Sequence, residues 1–499
     1  MRRLVLLVPL LAAVAMVAGC ATLESPQREH LVSADSQVRD CAAWFAALDR
    51  AVDTHGVRDG SAHRIAGYPY LRADRFTAAF RNDGLAGTRL RDWVARLHAL
   101  DASARSYETA NLPDAALASL NVGRRDVAQT RTQSCAGTLM QRDFAAPDAR
   151  AQLVARASVP DDYHTWQRVV GVYALTRIPF LAGVSRWQAE AEPAFRTPPP
   201  AHARIVRYAP AEPPNDASAM RGMLARIGRD ALGIAQPDEA QLQQLLAAYA
   251  PVFEIEHTGD DDLPGALYWP AIDAPAPAVD TAQPTVYARL AHTHWGGRPR
   301  LQMVYSIWFP ARPRTGAFDL LGGRLDGVVW RVTPDDDGTP LVYDTIHPCG
   351  CYQMFFPANG VVARPPPETD IEWAFVPTSL PPHGAGHRVR VRIEGGTHYV
   401  HHVSLLDSGQ PDGAPTRYAF AADDALRALP LPGGGSRSAF RPDGLIAGSE
   451  RGERFLFWPM GIASAGAMRQ WGRHATAFVG RRHFDDADLL ERRFVLPER

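Results

Sequence analysis

Apolar positions recur along this chain with two different periods. Val38, Cys41, Phe45, Leu48 and Val52 are spaced by three or four residues, as are Leu90, Trp93, Val94, Leu97 and Leu100. Each set lines one face of a helix. Pro237-Asp238-Glu239 reads as a helix start, with Leu242, Leu245, Leu246 and Tyr249 as its buried stripe and Pro251 as its stop. The run Val169 to Val184 is apolar but holds Arg177 and Pro179, and predicts a buried helix and turn, not a membrane crossing. Prolines 198–200, 210, 213 and 214 mark a linker or a surface crossing.

After Pro251 the period becomes two. Val286, Ala288 and Leu290 alternate with Tyr287 and Arg289, and Leu301, Met303, Tyr305, Ile307 and Phe309 alternate with Gln302, Val304, Ser306 and Trp308. Gly296-Gly297-Arg298-Pro299 lies between the two runs, which predicts a hairpin. A second hairpin pairs Val328–Thr333 with Leu341–Ile346, and a third pairs Arg388–Ile393 with His398–Val403 across Gly395-Gly396. In the tail, Gly433-Gly434-Gly435 reads as a loop and Phe455–Trp458 as a strand. The fold class predicted is α+β. Residues 37–250 form a mainly helical domain, and 251–499 an antiparallel β-rich one.

The N-terminus carries a separate signal. Met1-Arg2-Arg3 is basic, Leu4–Ala18 is uncharged and shorter than the ~20 residues a membrane-spanning helix needs, and Val17-Ala18-Gly19-Cys20 puts small residues before a cysteine. This pattern resembles the signal peptide and lipobox of bacterial lipoproteins, over residues 1–21. The resemblance implies removal of residues 1–19, acylation of Cys20 and a membrane partner reached through lipid. Residues 20–36 would then be the lipidated tether. Ala21 stands where an aspartate often marks inner-membrane retention. By the same resemblance this implies an outer-membrane, periplasm-facing address.

Composition narrows the chemistry. With 46% hydrophobic and 21% charged residues the chain is that of a folded protein, and a net charge of −1 gives no basic excess for nucleic acid. There is no lysine; all 53 basic residues are arginine. Walker A loops, Schiff bases and Ser–Lys dyads need that amine. No G-x-G-x-x-G follows a strand, so no nucleotide cofactor is indicated; H-E-x-x-H and G-x-S-x-G are missing too.

Cys20 aside, four cysteines remain, and they allow three pairings. Cys41 with Cys135 is the natural one, as it would staple two helical segments. Cys349 and Cys351, separated only by Gly350, could instead bond to each other or to that pair. His292 and His294 share one strand face, and His347 immediately precedes the C-x-C. If the hairpins are neighbours, His292, His294, His347, Cys349 and Cys351 converge as a set suited to zinc or copper. His398, His401 and His402 follow the third glycine turn. Glu254, Glu256 and Asp344, with the run Asp260-Asp261-Asp262 and with Asp319 and Asp326 near the hairpins, are the carboxylates available as a general base or to orient a histidine; Arg437, Arg441, Arg451 and Arg454 could meet an anion, with solvation the blander account. Three classes follow: a metal-dependent envelope hydrolase, a non-catalytic binding or scaffolding lipoprotein held by disulfides, and a thiol-redox protein. The C-x-C spacing, in place of C-x-x-C, argues against the last.

Overall fold

The computed structural model describes residues 27–145, 149–197, 204–211, 216–368, 372–406 and 414–497. The expected export signal and Cys20 lie outside the described residues. Helices dominate the first part: α1 (Gln27–Leu31), α2 (Ser36–Thr54), α3 (Arg75–Ala79), α4 (Gly87–Asn111), α5 (Arg125–Asp143), α6 (Thr165–Val170) and α7 (Tyr173–Ala191). Asp35 caps α2, its carboxylate accepting from the backbone N–H of Gln37 and Val38. The stripe Val38, Cys41, Phe45, Leu48 and Val52 is buried, and so are Trp93, Val94 and Leu97 of α4. These faces pack on a short hairpin of β1 (His63–Ile65) and β2 (Tyr68–Ala73). Cys41 and Cys135 form a disulfide between α2 and α5, with Cα atoms 4.9 Å apart. The expected tether ends sooner than the sequence implied: α1 already belongs to the fold, with His30 buried against Asp143.

The β part is a two-sheet sandwich. It uses β3 (Ile205–Ala209), β4 (Val252–Glu256), β5 (Thr285–His294), β6 (Pro299–Arg312), β7 (Gly323–Pro334), β8 (Pro340–Ile346), β9 (Met354–Pro357), β10 (Val389–Ile393), β11 (Val400–Leu405), β12 (Thr416–Arg417) and β13 (Ala419–Ala422). The larger sheet has the order β9-β8-β7-β6-β5-β13, the smaller β11-β10-β4-β3-β12. All three predicted hairpins are present, with Tyr305 opposite Ala288, Trp330 opposite Thr345, and Val391 opposite Val403. Three pairings are parallel: β10 with β4, β12 with β3 and β13 with β5. The sheets are therefore mixed, because distant segments are added at edges and centre.

Period two explains the layers. Met303, Tyr305, Ile307 and Phe309 of β6 meet Phe253, Ile255, Val391 and Ile393 of the smaller sheet in one core. Helix α8 (Glu239–Ala248), started by an Asp238–Gln241 capping box, closes that core with Leu245 and Leu246. The alternate residues face the C-terminal tail: Val304 with Phe484, and Trp308 with Leu426 and Met468.

The chain does not divide where its period changes. β3, inside the proline-rich stretch read as a linker, is an interior strand of the smaller sheet. The tail also reaches back to the helical part, where Asp59 accepts from Arg427 Nε (2.7 Å) and Gln470 Nε2 (3.1 Å). Two other readings are corrected. Phe455–Trp458 is not a strand: α9 (Glu453–Leu456) and a 3-10 turn at Trp458–Met460 occupy it. Val169–Val184 is helical but not buried; no residue of α7 is buried.

Candidate functional site

The sandwich places a polar centre at one end, between the sheets. Asp326 of β7 lies opposite Phe309, and its parity with Val328 and Trp330 turns it toward the inter-sheet core. It is fully buried. Asp326 Oδ1 accepts from the Gly327 N–H at 3.0 Å, from His347 Nδ1 at 3.2 Å and meets Arg451 Nη2 at 3.3 Å. Its Oδ2 is 3.0 Å from His398 Nδ1. On the far side of that ring, Asp262 Oδ1 sits 3.2 Å from His398 Nε2. His398 is thus clamped between two carboxylates.

Two tight turns bring these groups together. His347 follows β8 and begins a turn in which its carbonyl accepts from Gly350 and its N–H donates to the Cys351 carbonyl. Gly350 has φ of +91°, and a Cβ there would lie 2.3 Å from the Ala475 carbonyl oxygen, so only glycine fits. His398 sits on the β10–β11 turn with φ of +58°, and Tyr352 has φ of +59°. Two non-glycine residues in the left-handed region at one site mark backbone strain held by the surroundings.

An aromatic and cationic wall completes the centre. Arg312 Nη2 donates to Tyr399 Oη at 3.0 Å, and Tyr399 Oη donates to Tyr352 Oη at 2.9 Å. The His347 ring lies 4.9 Å from that of Tyr352, edge to face. Trp187 of α7 covers both tyrosines, at 5.2 and 6.1 Å between centroids.

Charge is sorted by this geometry. Burial opposes ionisation of Asp326, but Arg451 and the two histidines hold its carboxyl well below the usual range. Burial also opposes the charge on His398; the carboxylates of Asp262 and Asp326 outweigh it and raise its pKa. For His347 burial wins over Asp326, and its pKa is lowered. Asp326 thus touches a His398 held toward its charged form and a His347 held toward its neutral form. His347 Nδ1 is tied to Asp326, while its Nε2 is buried with no hydrogen-bond partner. Close by, burial pushes Glu453 up to about 7 against the pull of Arg451 and Arg312.

The residues singled out in the sequence are only partly gathered here. His292 and His294 are elsewhere. The pairings of Ile346 with Val329, Val329 with Ser306 and Ser306 with Tyr287 put His347 level with Val286. His292 is then about 20 Å further along the strand and three strands away. It stacks on Phe76 of α3 at 5.2 Å, and His294 meets Phe80 at 4.6 Å. His294 borders a cleft of about 650 Å³ with Arg75, Asp161, His483 and Asp486, at the seam of the helical part and the sheet. The expected convergence of three histidines is not found. Among the described residues, no three of His, Cys, Asp or Glu are grouped to hold a metal ion.

Cys349 and Cys351 are free thiols, since Cys41 and Cys135 pair with each other. The Cys351 N–H donates to Cys349 Sγ at 3.4 Å, and the two flank a void of about 10 Å³ beside Gly466 and Ala475. The contact with Cys349 and then burial raise the pKa of Cys351 well above that of an ordinary thiol. The Cys351 sulfur is therefore not poised as a thiolate.

Glu254, Glu256 and Asp344, proposed from sequence, are held in ion pairs. Glu254 lies between Arg207 (2.6 Å) and Arg390 (3.2 Å), Glu256 between Arg392 and His401 (3.3 Å each). Asp344 is gripped by Arg331 at 2.9 and 2.5 Å. Sequence reasoning missed Arg312, Tyr352 and Tyr399, left Asp262 in an acid run and Asp326 merely near a hairpin, and gave Arg451 and His398 no place in the centre. The one available signal was the strict alternation of β7, which puts an aspartate on an otherwise apolar face. No family model matches this chain, and no curated protein or solved structure does either.

Proposed function

We propose that this chain is a membrane-anchored envelope hydrolase that cleaves an ester or amide bond by acid–base catalysis at His347. One observation carries the reading: a buried imidazole with Nδ1 held by a carboxylate and Nε2 unpartnered, beside a relayed donor. Arg312 donates to Tyr399 and Tyr399 to Tyr352, which leaves the Tyr352 hydroxyl proton as the outermost donor.

In this reading a water gives its proton to His347 Nε2 as its oxygen attacks the carbonyl carbon. Asp326 fixes the tautomer and steadies the imidazolium. Negative charge developing on the carbonyl oxygen meets the Tyr352 hydroxyl, polarised by Arg312. His347 returns the proton to the leaving oxygen or nitrogen, and the bond breaks to give an acid and an alcohol or amine. Acylated Cys20 would hold the enzyme at the outer membrane, facing the periplasm.

The test is a panel of chromogenic esters and anilides, assayed with the wild-type chain and with His347→Gln. Turnover that falls by 100-fold or more in the variant, with its fold intact, supports the reading. Turnover that the variant keeps overturns it. A zinc or copper form of the hydrolase would have to rest on His347 with Cys349 or Cys351, and stoichiometric metal in the purified chain would favour it. A second reading, a non-catalytic binding lipoprotein, is favoured by the seam cleft. It would be upheld by ligand binding that Arg75→Ala abolishes, with no turnover in any assay.

A further inference from the structure

Helices α6 and α7 form an unusual surface. Trp166, Val169, Val170, Val172, Leu175 and Ile178 are all between 53% and 73% exposed. The inner side of α7 is apolar as well: Phe180 packs on Phe457 at 5.1 Å, and Trp187 on Tyr352. A helix with large apolar side chains on opposite sides has two faces to cover, with protein or with lipid. Here only one side has the protein to rest on.

The patch continues past these helices. Trp166 meets Trp458 at 5.5 Å, and the chain just before Trp458 carries Phe455 and Leu456, both exposed. Leu320 lies against Gly452 and leads to Phe318, which is 94% exposed. Three separate segments that neighbour one another in the fold therefore each present large apolar side chains. A patch of this extent is not expected of a surface that stays in water.

Charge selects the occupant. From Tyr163 to Ala189 there is no Asp or Glu; Arg168 is held by the carbonyls of Met460 and Gly480 and Arg186 by Glu190, which leaves Arg177 for the surface. Arg454 lies over the Phe455 ring at 4.8 Å. Beside Asp319 and the paired Glu190, the cations Arg177 and Arg454 stand on this apolar, aromatic face, a pattern that fits the headgroup region of an anionic membrane. No helix among the described residues is long and apolar enough to cross one.

We propose that α6, α7 and the Phe455 turn dock on the surface of an anionic phospholipid bilayer, independently of any acyl anchor. Trp187 roofs the His347 centre from the same helix, so docking sets that centre at the lipid boundary.

The experiment uses the chain from Ala21 onward, which keeps every described residue and carries no acyl group. It is sedimented with vesicles of phosphatidylcholine alone or with a third of phosphatidylglycerol. Binding to the anionic vesicles that weakens at least 10-fold in Val169→Asp/Leu175→Asp/Ile178→Asp is the expected result. These side chains are exposed, so an unchanged melting curve shows that the variant is folded. Absence of binding, or equal binding by the variant, overturns the proposal. So does association of the chain with itself through this patch without vesicle binding, which would make a second copy the occupant. Sedimentation reads neither turnover nor acylation, so its failure is distinct from failure of the hydrolase reading.

Discussion

The imidazole of His398 lies flat on the ring of Phe309, with 4.0 Å between centroids and 8° between planes. Phe309 belongs to the larger sheet and His398 to a turn of the smaller one. One stacked pair thus joins the two layers where the polar centre sits. The cation expected on His398 faces an aromatic surface and two carboxylates at once, a desolvated setting in which each contact counts for more than in water.

Replacing His398 by Gln should therefore destabilise the fold. Removing the cation leaves Asp262 and Asp326 short of a partner, a loss of about 3 kcal/mol in urea unfolding at pH 6. A raised folded pKa gives stability that is complete below the unfolded value near 6.5 and is lost as pH climbs through the folded value. The gap between wild type and variant should narrow in alkaline buffer. A gap that widens there would refute the assignment of charge.

Glu453 gives a second pH signature. Burial raises it to about 7 in the folded protein, from an ordinary 4.5. The folded state then holds a proton that the unfolded state has released, so stability should fall as pH rises from 4.5 to 7. Glu453→Gln removes that fall. At pH 8 the variant should be the more stable protein, by on the order of 3 kcal/mol at most. Parallel unfolding curves at pH 5 and pH 8 decide it.

Arg331 and Asp344 should behave as a structural pair. The guanidinium is buried, grips the carboxylate through two nitrogens and stacks on Phe484 at 3.7 Å. Arg331→Ala is expected to cost about 3–5 kcal/mol through the stranded carboxylate. The double substitution Arg331→Met with Asp344→Leu should recover most of it. Whatever turnover the ester panel detects should survive in the double variant.

Oxidation state is open to a direct count. In denaturant, the chain from Ala21 should expose two titratable thiols, Cys349 and Cys351, and four only after reduction. Cys41 and Cys135 close a loop of 94 residues. Cys41→Ser with Cys135→Ser should lower stability by about 2–5 kcal/mol. Four free thiols before reduction would contradict the pairing.

Local pattern carried most of the architecture. The stripes of α2, α4 and α8, the three hairpins and the Cys41–Cys135 pairing could be read because each rests on spacing and turn residues near at hand. What escaped depends on distant chain. β3 looks like part of a proline-rich crossing, because its five residues gain meaning only beside β4. The buried reading of Val169–Val184 took hydrophobicity as proof of burial, which holds only where something covers the helix. The histidine cluster failed for a related reason. His292 and His347 share a sheet, yet register across three strands decides which end each occupies. Asp326 could be placed only near a hairpin, because its partners come from two separate turns and the tail.

Asp59 holds Arg427 and Gln470, which lie 368 and 411 residues further along the chain. The early helices consequently cannot be finished until nearly all of the polypeptide is present. Synthesis and folding run against each other: what emerges first is locked last. Such nonlocal closure slows the search for the native state, and a chain cut short near residue 420 would leave a charged socket open in its oldest part.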